Sequence, residues 1–124
     1  MNVVDSSGWI EFMTSGPNAS VFMEPIQDLE NLVVPTVSIL EVFKWVLGHR
    51  DETAALQVAA AMRQGTVVDL DGELALLAAK LSLEHDLPLA DSVIYATAQT
   101  SEATTWTQDA DLEGLAEVRF VEKK

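Results

Sequence analysis

The 124-residue chain contains no cysteine and only two histidines, His49 and His85. The first absence excludes disulfides, thiolate metal sites and cysteine nucleophiles, and it suits a reducing compartment. The second rules out a histidine-rich metal centre. Positive charge is scarce. Seven Lys and Arg face 20 Asp and Glu, for a net charge of −13. A surface this acidic opposes broad, non-specific binding to nucleic acid and favours metal cations and basic partners. A nucleic-acid enzyme stays compatible if a bound metal and a local basic patch meet the phosphates. The internal cations to supply that patch are Lys44, Arg50, Arg63, Lys80 and Arg119. Aromatic residues make up only 6% of the chain, so no stacking groove for single-stranded RNA is visible. No apolar run approaches the roughly 18–20 residues that span a bilayer. No basic segment precedes the first apolar residues, as a secretion signal would require. The expected location is the cytoplasm, with no membrane partner.

What is present is a core. Hydrophobic residues form 48% of the sequence, enough to fold and about right for one domain spanning residues 1–124. Short apolar runs alternate with helical segments. Strands are expected at Asn2–Val4, Leu32–Val34 (stopped by Pro35), Thr66–Leu70, Thr104–Trp106 and Val118–Val121. A helix capped by Ser6 and Ser7 runs through Trp9, Ile10 and Phe12 until Gly16-Pro17-Asn18 breaks it. Further helices are expected over 20–30, from Thr36 to about Gly48, from Asp51 to Gly65, over 72–85 and over 89–100. A helical turn covers 109–115. Strands separated by helices imply an α/β domain with a parallel sheet covered on both faces. In such sheets ligands bind beyond the carboxyl ends of the strands.

Four groups of acids therefore matter. Asp5 ends the first strand, where a polar turn residue or a helix cap would explain it equally well. Glu41 lies on an apolar helix that should be largely buried, in a polar line with Ser38, Lys44 and Trp45. Taken alone, an exposed stripe with a weak Glu41–Lys44 pair is the simpler explanation. Asp91 is in the first turn of the apolar helix Leu89-Ala90-Asp91-Ser92-Val93-Ile94-Tyr95. The helix dipole favours an anion there, but apolar surroundings leave a carboxylate in need of a partner. Asp109 and Asp111 follow Thr104-Thr105-Trp106, as ordinary caps often do, and Thr107 is close enough to orient them. If these acids converge, each like-charged pair about 4 Å apart repels by roughly 4 kcal/mol at an effective dielectric of about 20. Protonation or divalent cations must relieve that, and an oxygen-only site suits Mg²⁺ or Mn²⁺.

Four segments in order carry a resemblance. They are Val3-Val4-Asp5-Ser6-Ser7, Pro35-Thr36-Val37-Ser38-Ile39-Leu40-Glu41-Val42, Leu87-Pro88-Leu89-Ala90-Asp91-Ser92-Val93-Ile94-Tyr95-Ala96-Thr97-Ala98, and Trp106-Thr107-Gln108-Asp109-Ala110-Asp111-Leu112. Together they are similar to the PIN-domain ribonucleases, in particular the VapC-type toxins of toxin–antitoxin pairs. The resemblance implies a three-layer α/β/α fold whose central parallel sheet has four to five strands. It implies Mg²⁺- or Mn²⁺-dependent endoribonuclease activity, with Asp5, Glu41, Asp91 and Asp109 as catalytic acids. Asp5, Asp91 and Asp109 would bind metal, and Glu41 would do so directly or through water. Asp111 could share or take the role of Asp109, and Ser6 and Thr107 would support the acids. It also implies an RNA substrate, a homodimer and a cognate VapB-like antitoxin laid across the active-site groove.

Other readings compete. Asp69-Leu70-Asp71 resembles the strand-end signature of haloacid-dehalogenase-type phosphatases, but Glu73 stands where Thr is required, and Asp71 is more simply a helix cap. A receiver domain with Asp69 as phospho-acceptor would need an acidic pair after the first strand, where Asp5-Ser6 stands. A catalytically silent module that captures a basic partner fits the charge. Trp9 and Trp45 are read as core anchors or dimer contacts, and His49 and His85 as surface or helix-end residues.

Overall fold

The computed structural model describes residues 1–124. Five strands form one all-parallel sheet: β1 (Asn2–Val4), β2 (Leu32–Pro35), β3 (Thr66–Val68), β4 (Thr104–Thr107) and β5 (Val118–Phe120). Their order is β3-β2-β1-β4-β5. Val3 pairs with Val33 on one side and with Thr105 on the other. Connections leave β1 in one direction and return at β4 in the other. The order therefore reverses between these two strands, where a crevice opens at their carboxyl ends.

Six helices cover the sheet: α1 (Ser6–Met13), α2 (Ala19–Gln27), α3 (Thr36–His49), α4 (Glu52–Met62), α5 (Gly72–His85) and α6 (Leu89–Thr100). Successive strand residues face opposite sides. Val4, Leu32, Val34 and Trp106 pack with Trp9, Phe22, Val42, Val58 and Met62 from α1–α4. Val3 and Val33 pack against Ile94 and Ala98 of α6. Leu74, Ala78 and Leu81 of α5 join Tyr95 and Leu112 in a further cluster. This is the expected three-layer α/β/α arrangement, with Trp9 in its core.

Several boundaries differ from expectation for local reasons. Of the caps that the sequence offers for α1, Asp5 serves and Ser6 and Ser7 do not: its backbone is extended and its carboxylate accepts from Gly8 N. Asp28, with φ −87° and ψ 71°, ends α2, and a 3₁₀ turn takes Leu29–Asn31. Pro35 belongs to β2 and is also the residue from which α3 starts. The segment α4 stops at Met62 and β3 at Val68. After β4, which extends to Thr107, only Ala110–Leu112 is helical. The largest departure is α3. Only Ser38, Val42 and Val46 are buried there, while Leu40 is 63% exposed. Sequence apolarity cannot distinguish a face turned to the core from one left for another partner.

Gly8 sets the approach of α1 to the sheet. A Cβ there would lie 2.7 Å from both Phe22 and Val4, so the chain after Asp5 can hug β1 only without a side chain. No helix is long and apolar enough to cross a membrane.

Candidate active site

The reversal point between β1 and β4 is acidic. Asp5 leaves the end of β1 and is 2% exposed. Its Oδ1 accepts from the Ser7 hydroxyl (2.7 Å) and Gly8 N (3.1 Å), and its Oδ2 accepts from the Thr107 hydroxyl at 2.7 Å. Burial pushes the Asp5 carboxyl up to about 6. The three donors pull the other way, and the charge of Asp109 adds to the rise. Desolvation outweighs three hydrogen bonds here because removing a carboxylate from water costs several kcal/mol.

Thr107 ties β4 to this group. It is fully buried. While its hydroxyl donates to Asp5, its oxygen accepts from Asp109 N at 2.8 Å. Asp109 Oδ1 in turn accepts from Asp111 N at 2.9 Å, opening the 3₁₀ turn. One threonine thereby sets the position of two carboxylates 104 residues apart in sequence.

Asp91 enters from the first turn of α6. Carboxylate oxygens of Asp91, Asp109 and Asp111 all lie within 4.8 Å of one another. Burial first, then the charge of Asp109 and a hydrogen bond shared with it, pushes Asp91 up to about 7; Asp5 and Asp111 contribute further. The N-terminus of α6 favours an anion, but burial and three acidic neighbours outweigh it.

Glu41 stands apart from this trio. Its Oε1 accepts from the Ser6 hydroxyl at 2.7 Å, which connects it to Asp5 through the adjoining residue. The alternative of a Glu41–Lys44 pair is not realised. The only charged contact within 4 Å in the molecule is His85 with Glu84, at 3.9 Å. Ser38, expected in the same polar line, is instead fully buried with an unpartnered hydroxyl. Asp111, expected as an alternative to Asp109, lies beside it.

Ser7, expected as a cap, instead donates to Asp5, and its place two residues after that acid is the signal for it in the sequence. Asn18 had none. It is buried, and its Nδ2 donates to Gln108 Oε1 (3.1 Å) and to the Glu122 carbonyl (3.0 Å). It braces the segment that carries Asp109. Asp71 caps α5 through Leu74 N at 2.9 Å. Asp69 follows β3, which β2 separates from the crevice.

The donor set suits a hard divalent cation. Three close carboxylates offer only oxygen, and no Lys or Arg makes an ion pair with any of them.

Solved structures share this architecture. A toxin–antitoxin complex from Klebsiella pneumoniae matches with a TM-score of 0.83 at 19% identity, over 98% of this chain and 99% of that one. VapC20 of Mycobacterium tuberculosis, described as a sarcin-ricin loop cleaving toxin, matches with 0.77 at 18% identity, over 96% and 99%. VapBC2 from Rickettsia felis, bound to a DNA fragment from its promoter, matches with 0.73 at 9% identity, over 98% and 97%. No curated protein matches by sequence. The family model of the PIN domain covers residues 3–118, from β1 into β5, and the chain belongs to the PIN domain family.

Proposed function

We propose that this protein is a metal-dependent endoribonuclease and the toxin of a toxin–antitoxin pair. The observation that carries the reading is the convergence of Asp91, Asp109 and Asp111 at the sheet's reversal point, beside the buried Asp5. The toxins among its structural neighbours support the biological role.

Asp5, Asp91 and Asp109 would hold Mg²⁺ or Mn²⁺, with Asp111 sharing the site and Glu41 reaching it directly or through water. When bound, the ion supplies a water of lowered pKa and stabilises charge on the scissile phosphate. The remaining work belongs to the chain. Thr107 and Ser7 keep both Asp5 oxygens oriented. Asp91, beside Asp109 and Asp111, offers the oxygens that a bound cation would share. Ser6 holds Glu41 at the rim. Hydrolysis then adds water across one backbone phosphorus–oxygen bond, and the departing oxygen takes a proton.

The acidic crevice is also complementary to an Arg or Lys of an antitoxin segment, which would inhibit by occupying it. A homodimer completes the proposal. Exposed Leu70 and Leu89, with Ala75 and Val93, line an apolar groove of about 330 Å³ beside α5 and α6, which a second copy would cover.

The test is cleavage of a structured-RNA pool with Mg²⁺ or Mn²⁺ against EDTA, alongside Asp5→Ala/Asp91→Ala. Discrete fragments that need both metal and acids establish the activity. Identical behaviour of wild type and double mutant, across RNAs and both metals, removes it in favour of a module that only binds a basic partner.

A further inference from the structure

Two grooves flank the acids, and they differ in charge. One, of about 780 Å³, opens beside Asp109. It carries three carboxylates, Asp109, Glu113 and Glu122, against Lys123 alone. A phosphate backbone is repelled there. The other, of about 540 Å³, starts at Glu41 and follows α3 past Lys44, Trp45 and His49. It carries one carboxylate and one ammonium, and the Lys44 ammonium has no acidic partner within 4 Å.

The second groove also has an aromatic wall. The Trp45 and His49 rings lie 3.9 Å apart, centroid to centroid, with planes 13° from parallel. His49 Nδ1 donates to the Trp45 carbonyl at 2.8 Å, which fixes the imidazole against the indole. His49 is exposed and Trp45 half-buried. Trp9 and Trp106, by contrast, are 1% and 5% exposed. Position adds to chemistry. Glu41 and His49 are eight residues apart on one helix, about 12 Å along its axis, so one groove joins the stacked rings to Glu41.

We propose that this groove is a nucleotide subsite. An unpaired base of the RNA, adjacent to the scissile phosphate, extends the Trp45–His49 stack, and Lys44 meets the neighbouring phosphate. The subsite deepens the ribonuclease reading and rests on it. It gives Trp45 a part beyond the core or dimer contact that its sequence context suggested. It also gives a strongly acidic protein a local means of holding RNA, since stacking requires no positive field.

The experiment has two arms. Tryptophan emission of the Asp91→Asn protein is followed in Mg²⁺ during titration with a mixed-sequence single-stranded RNA oligomer. Steady-state cleavage by otherwise wild-type protein is measured with Lys44→Gln, His49→Ala, Trp45→Phe and Trp45→Leu. Quenching by RNA is expected, with its loss in a Trp45→Phe/Asp91→Asn protein that still binds. KM should rise about tenfold in Trp45→Leu, with kcat within about twofold. Lys44→Gln should weaken binding and lower the salt dependence by about 0.7 in the log–log slope. Efficient cleavage with unchanged KM in Lys44→Gln and His49→Ala, both at exposed positions, overturns the subsite and leaves the nuclease reading intact. A change of oligomeric state in these variants without a change in KM also overturns it, and assigns the face to a second copy. Absence of both cleavage and quenching overturns both readings.

Discussion

The end of β1 and the start of α6 each withdraw an aspartate from water, yet the two sites handle the charge in opposite ways. Asp5 is surrounded by donors: Ser7, Gly8 N and Thr107. Asp91 is surrounded by acceptors: Asp109, Asp111 and Asp5. Both carboxyls are pushed up, to about 6 and about 7, but the first is held in place by hydrogen-bond donors and the second has mainly other acids beside it.

The sharpest way to break this contrast is Asp91→Asn. Cleavage should fall by more than about 100-fold, since even partners of metal ligands cost 10–100-fold. The melting temperature of the metal-free protein should hold or rise, because repulsion is removed. Added Mg²⁺ or Mn²⁺ should then stabilise the variant less than the wild type. A variant that melts lower without metal would show that Asp91 is a structural acid like Asp5.

Acidity should stabilise the metal-free fold. Both folded carboxyls bind protons more tightly than the ordinary value of 3.8. The native state therefore carries more protons than the unfolded chain between about pH 4 and 7, and stability falls as pH rises through that window. For Asp5 the change amounts to about 3 kcal/mol at neutral pH. Thermal melts at pH 5 and pH 7.5 should show the difference, and saturating Mg²⁺ should shrink it. A metal-free protein more stable at pH 7.5 would reverse the account.

Thr107→Val keeps the shape and deletes the hydroxyl that serves Asp5 and Asp109. It should cost about 1–3 kcal/mol in denaturant unfolding and reduce metal affinity. A neutral result would mean that Ser7 and Gly8 N suffice to hold Asp5. Smallest is Gly8→Ala, which forces a Cβ against Phe22 and Val4 and should cost about 1–2 kcal/mol, read from the same unfolding curves. An unchanged midpoint would show that α1 can shift without disturbing Asp5.

Local chemistry made much of the fold legible. Asp71 reads as a cap and is one; α5 and α6 have the bounds their periodicity and flanking residues suggest. Asp5, Asp91, Asp109 and Asp111 each stand out as acids after strands or beside apolar residues. Less legible was α3, whose exposed Leu40 and buried Ser38 invert the expectation from composition. Asp5 was legible as a cap of α1, but its hydrogen bond to Thr107 was not, because the two meet only across the sheet.

By itself, the amino-acid sequence determined the alternation of strands and helices, the absence of cysteine chemistry and the spacing of the acids. Hydrophobic period, caps and turn residues act over a few positions, and a reader needs nothing else to find them. The tertiary structure alone decided which acids meet. Parallel strands are joined by crossovers, so Asp5 and Asp109 become neighbours only once β4 has paired with β1. Thr107 can bridge them only after that pairing, and only then does the loss of water push both aspartates upward. The same packing left Lys44, Trp45 and His49 together along one flank of the crevice.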